Sequence, residues 1–212
     1  SGGATPYKSN VRRVDFSNDT ATAVDKGPLS AARGYMDGTG NTNYGYTLGG
    51  FSGPEHSTVD RIDYANDTST AVAKGPLTAS YYGAAAIGNN DFGYAVGGCG
   101  GPKSFVSRID YSNDTATVVE RGYLSAGKRY LGATSNPSFG WVSGGNTPGG
   151  NISTIDRIEY STDTATPVAR GALSVARSQA RSAGNSNYGW HTAGYADPTT
   201  VSTVDRIDYS SD

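Results

Sequence analysis

Four Arg-x-Asp/Glu pairs are the most regular charged feature of this sequence: Arg61/Asp63, Arg108/Asp110, Arg157/Glu159 and Arg206/Asp208. Two residues apart on an extended chain, the members of each pair lie on one face of a strand. Such a series could form a ring of ligand-binding charges. Its recurrence at every repeat favours the other use, charge-assisted pairing within or between structural units. Four turns, Ser17–Thr20, Ala65–Thr68, Ser112–Thr115 and Ser161–Thr164, carry Asn/Asp or Thr/Asp at their centre. They lack the alternating acids, central glycine and terminal glutamate of a calcium loop and read as Asx-type hairpin turns.

The other reactive residues are sparse. His56, His191 and Cys99 stand alone, without the clustering a metal site needs, so no metal or cofactor is expected. No nucleophile motif links a Ser, a His and an Asp, so no catalytic residue is assigned and an enzyme is not expected. The stretches GGCGGP and GGNTPGG have no following helix or Lys-Ser/Thr and are strand ends running into loops rather than phosphate cradles.

The elements that must position these residues follow from self-similarity. Arg13, Arg61, Arg108, Arg157 and Arg206 are 48, 47, 49 and 49 residues apart. From each of the first four to a leucine (Leu29, Leu77, Leu124, Leu173) is 16 residues, and from leucine to glycine (Gly50, Gly98, Gly145, Gly194) is 21. Only the stretch from that glycine to the next arginine varies, at 11, 10, 12 and 12 residues. Each period reads as four strands, such as RGYMDGT, YGYTLGG, STVDRIDY and TSTAV, joined by Gly/Asn and Asn/Asp turns. No window has a helical period. The expectation is one all-β domain over 1–212, with repeats at about 11–58, 59–105, 106–154 and 155–203 and a partial copy at 204–212.

Four antiparallel strands per 47–49 residues predict the blades of a β-propeller. Two features resemble the kelch repeat. A Gly-Gly pair ends the second strand (Gly49-Gly50, Gly97-Gly98, Gly144-Gly145, weakened to Ala193-Gly194), and an aromatic ends the third (Phe16, Tyr64, Tyr111, Tyr160, Tyr209). The tryptophan usual six residues later is replaced by Thr22, Thr70, Thr117 and Thr166, leaving Tyr46, Tyr94, Trp141 and Trp190 of the second strand to supply aromatic mass. Galactose-oxidase-like kelch enzymes need copper ligands and a tyrosine–cysteine crosslink, for which Cys99 and two scattered histidines barely begin a site. The near-identical modules also resemble tandem arrays in tail-fibre and other structural proteins of marine bacteriophages, including cyanophages. That resemblance implies a virion or extracellular setting.

Composition excludes some partners. Net charge is −2, and no basic stripe tracks a phosphate backbone, so nucleic acid is not expected. No apolar run reaches the ~18 residues of a helical membrane span. The chain opens SGGATP, starts at a second-strand end (Gly2-Gly3) and has Met36 as its sole methionine. These points favour a segment of a longer array over a small ring with overlapping ends.

In such a blade the loops joining strands 2–3 and 4–1 emerge on one propeller face, and the 2–3 loops are the variable ones. Candidate binding residues are therefore Phe51, His56, Phe105 and Tyr195 with Arg33, Tyr81, Lys128 and Arg177. The opposite face, with its uniform Asn/Asp turns, reads as plain solvated surface. The expected function is that of a non-enzymatic structural or interaction protein from a phage appendage, contacting other virion subunits or a host-surface glycan or protein. The alternative is a carbohydrate- or protein-binding propeller of cellular or secreted origin.

Overall fold

The computed structural model describes residues 6–101 and 103–212; the Gly2-Gly3 strand end lies outside them. A short hairpin, β1 (Arg12–Arg13) with β2 (Val24–Asp25), comes first. The first full sheet follows: β3 (Asp37–Gly40), β4 (Tyr44–Leu48), β5 (Val59–Asp63) and β6 (Val72–Ala73), in that spatial order. The second holds β7 (Ala85–Gly88), β8 (Phe92–Val96), β9 (Lys103–Asp110) and β10 (Val119–Lys128). In the third, β11 (Gly132–Ser135), β12 (Phe139–Ser143), β15 (Thr154–Glu159) and β16 (Val168–Ala172) enclose a small loop hairpin, β13 (Asn146–Thr147) with β14 (Gly150–Asn151). The last sheet has three strands, β17 (Arg181–Gly184), β18 (Tyr188–Ala196) and β19 (Thr199–Asp208). These four antiparallel sheets form a four-bladed β-propeller.

Each blade is an up-down meander because its turns suit tight reversal. Asn41, Asn89, Asn136 and Asn185 accept bonds through their side chains from the amides two and three residues on, closing the hairpin between first and second strands. After the third strand, one-turn 3-10 segments follow at Tyr64–Asn66, Tyr111–Asn113 and Tyr160–Thr162. The second member of the Arg-x-Asp pair caps two of them: Asp63 accepts from the Ala65 amide and Asp110 from that of Ser112.

The arginine reaches across to the next blade. Arg61 meets Asp114 at 2.8 Å, Arg108 meets Asp163 at 2.9 Å and Arg157 meets Asp212 at 2.9 Å. A fourth-strand cation approaches the same carboxylate: Lys74, Arg121 and Arg170 respectively. So does a second-strand aromatic, with Tyr46 donating to Asp114, Tyr94 to Asp163 and the Trp141 indole to Asp212. That aromatic also stacks on the tyrosine ending the next blade's third strand. Tyr46/Tyr111, Tyr94/Tyr160 and Trp141/Tyr209 have centroids 4.7, 5.0 and 3.9 Å apart and planes within 12°. Arg13 and Lys26 of the first hairpin meet Asp67 in the same way. The second-strand aromatics thus fill the seams, and the pairing of charges runs between blades rather than along one strand. The turns are largely exposed, as the sequence suggests, but Asp114 and Asp163 are buried among them as the centres of these clamps.

Candidate ligand-binding face

Four of the proposed contact residues belong to the frame. Arg33, Tyr81, Lys128 and Arg177 occupy one column, four residues after each leucine, and all are buried. Each faces the residue just before the third-strand arginine. Arg33 meets Asp60 at 2.9 Å, Arg177 meets Asp205 at 2.7 Å, and Lys128 pairs with Asp156. In the second blade the tyrosine stands beside a neutral Ser107 instead. Cation matches acid because an unpaired charge at such depth is costly; the neutral Tyr81 and Ser107 hydroxyls make no hydrogen bond. Arg33 also donates to the Gly49 carbonyl at 2.7 Å, and Arg177 to that of His191 at 3.0 Å, anchoring the second strand near its end. The expectation of surface contacts from this column is corrected: these side chains root the loops from beneath. Phe105 is buried too, 4.6 Å from the Tyr81 ring, and does not reach the surface.

Two residues further along, Tyr35, Gly83, Tyr130 and Gln179 all have left-handed backbone, at φ 57°, 63°, 57° and 59°. Three of the four are not glycine, so something must hold them there. The cause is a relay of hydrogen bonds between blades. Gly83 donates to the Tyr35 carbonyl at 2.9 Å, Tyr130 to Gly83 at 2.7 Å and Gln179 to Tyr130 at 2.8 Å.

This turn brings an aromatic cluster to the loop face. Tyr82 is its hub, with ring centroids 5.1 Å from Phe51, 5.8 Å from Tyr35 and 6.3 Å from Tyr130, and Phe51 meets Tyr7 at 6.1 Å. The buried Cys99 thiol lies against Tyr82 and Tyr130; burial first, and then that contact, raises the pKa of both phenols. Tyr35, Met36, Tyr130, Gln179 and Arg181, one or more from each of three blades, help line a cavity of about 230 Å³.

A second cleft of about 290 Å³ adjoins it, sharing Tyr130 and Gln179. Its walls are amides and charges: Arg129, Asn146, Asn151, Tyr195 and Asp197. Arg129 grips Asn146 Oδ1 with two nitrogens at 3.1 and 3.0 Å. The Asn151 amide donates to the Tyr195 carbonyl at 2.8 Å, and the Tyr195 hydroxyl to Asp197 at 3.0 Å. These bonds fix the polar groups before any ligand arrives.

Of the expected residues, Phe51 and Tyr195 therefore sit on this face, and His56 bonds Ser52 at 2.7 Å within its loop. Tyr35, Tyr82, Tyr130, Arg129, Asn146 and Asn151 were not singled out by the repeat. The signal was present one and two residues beyond the chosen column, where aromatics recur without a core role.

His191 is fully buried, with the Ser143 and Ser182 hydroxyls 2.7 and 2.8 Å from Nδ1. Burial first, then the field of Arg177, lowers its pKa to about 4, which keeps the ring neutral. Among the described residues no group of three His, Cys, Asp or Glu side chains could hold a metal, and no helix is long and apolar enough to cross a membrane. No protein-family model matches the sequence, and neither does any curated protein. The propeller assignment stands on strand order and seams.

Proposed function

We propose that the protein is a non-enzymatic interaction module that binds a glycan on its loop face. The observation that carries this reading is the Tyr82-centred aromatic cluster beside a cleft of prearranged amides and carboxylate. A sugar ring presents C–H faces that stack on aromatics and hydroxyls that pair with amides and acids, and this surface offers both over adjoining cavities. The frame is one repeated device, whereas the loops differ in length, the division expected of a scaffold that carries recognition. Resemblance of the modules to phage appendage arrays supports a virion setting, with attachment to a host surface as the role.

A glycan array with the 212-residue chain tests this, followed by titration of the captured glycan. Tyr82→Ala is expected to weaken binding about 30-fold, as for an aromatic hot spot, while the far-face Tyr64→Ala does not. An array without any captured glycan, or capture indifferent to Tyr82→Ala, contradicts the proposal.

A further inference from the structure

Ionic matching is the rule in this molecule: the seam arginines, the fourth-strand cations beside them and the cations of the buried column all meet carboxylates. Arg129 and Arg181 break it. Among the described residues neither reaches a carboxylate, and each lines one of the two adjoining cavities of the loop face. Lys8, Lys103 and Arg206 also lack such a partner but line neither cavity. Two acids of this region are already occupied. Asp197 accepts from the Tyr195 hydroxyl at 3.0 Å. Asp37, which feels the field of Arg181, gives its two oxygens to the Gly38 and Ala86 amides at 2.9 and 3.0 Å.

Arg129 is the more firmly placed of the two arginines. Its main chain pairs with Asn146 in both directions, at 3.1 and 2.8 Å, and its guanidinium lies 5.8 Å from the Tyr130 ring centroid. Asn146 Oδ1 takes up the Nε–Nη2 edge, while Nη1 has no hydrogen bond among the described residues. Arg33, by contrast, is matched by Asp60. Arg129 is half-buried yet held by a neutral amide, so its charge is left for whatever enters the cleft. Neither arginine belongs to the repeated frame: the equivalents of Arg129 are Gly34, Tyr82 and Ser178, and those of Arg181 are Asp37, Ala85 and Gly132.

We propose that the glycan taken by this face is acidic, with the carboxylate of a uronic or sialic acid unit paired to Arg129 in the polar cleft and Arg181 adding a second positive charge from the adjoining cavity. The inference rests on the glycan reading and adds the class of sugar. A guanidinium edge matches the two oxygens of a carboxylate, and the Tyr130 ring shared by both cavities offers a surface to the sugar's C–H face.

Oligosaccharides ending in glucuronic or sialic acid, the same compounds with the carboxyl reduced to an alcohol, and sulfated counterparts are titrated against the 212-residue chain. The carboxylated forms are expected to bind at least about tenfold tighter than the reduced ones, and to weaken as salt is raised. Arg129→Gln should bring the two forms within about twofold of each other. Arg181→Gln, at an exposed position, should narrow the gap by a smaller factor with the melting temperature unchanged. A preference for the carboxylate that survives both substitutions overturns the inference, as does tighter binding of the sulfated or the reduced forms. Binding of neutral glycans alone, lost with Tyr82→Ala, overturns it while leaving the glycan reading intact; a chain that binds no glycan overturns both.

Discussion

Asp114 holds three groups of the preceding blade at once: the Tyr46 hydroxyl at 2.9 Å, Arg61 at 2.8 Å and Lys74 at 3.2 Å. Burial by itself would raise its pKa, but the Tyr46 bond, Lys74 and Arg61 bring it below the ordinary value. A depressed carboxyl contributes stability that is present above its unfolded pKa of about 4 and is lost as pH falls through the folded pKa. Asp114→Asn should cost about 2 kcal/mol at neutral pH, read from the denaturant midpoint, and should flatten the loss of stability below about pH 4. An unchanged acid limb would remove Asp114 from the account. The buried column makes a sharper claim. Asp156→Ala alone strands Lys128 and should cost about 3 kcal/mol or more. Installing the second blade's pair, Lys128→Tyr with Asp156→Ser, should recover most of that loss in chemical denaturation.

Strands and loops were legible because the repeat holds its length everywhere except between the second and third strands. The expected YGYTLGG and STVDRIDY strands appear as Tyr44–Leu48 and Val59–Asp63. The fourth strand was placed only coarsely, since Val72–Ala73 pairs over two residues. What could not be read was the direction of side chains along the 4–1 connection. Alternation puts Tyr81 and Tyr82 on opposite sides without saying which is inward, and the left-handed residue at Gly83 then breaks the alternation. The acceptors of the third-strand arginines were equally hidden: Arg61 and Asp63 share a strand, while the true partner lies 53 residues on. A connecting glycine marks each such junction. The Gly75 amide donates to the Asp114 carbonyl at 2.8 Å, and a β-carbon there would overlap the Ala116 carbonyl oxygen. Gly75→Ala should therefore lower stability by about 2 kcal/mol, measured by thermal melting. Gly171→Ala, where a β-carbon meets nothing, should have little effect on the same measurement.

Across the whole molecule, the proposed glycan contacts and the frame fall on different residues. Seam clamps, stacked aromatics and buried ion pairs recur in nearly every blade, so each blade is held chiefly by its neighbours, and loops can change without disturbing the core. The loop face is where blades differ in loop length, and where Tyr82 and Tyr130 stand beside the Asn146–Asn151 hairpin and Tyr195. The most direct test replaces the four variable segments linking second and third strands, 51–58, 99–104, 146–154 and 195–203, including hairpin β13/β14 and the paired tips of β18 and β19, with short Gly-Ser links. Melting and glycan binding are then measured on the same preparation. The account predicts a propeller that still melts cooperatively and binds no glycan; undiminished binding on that stripped frame would contradict it.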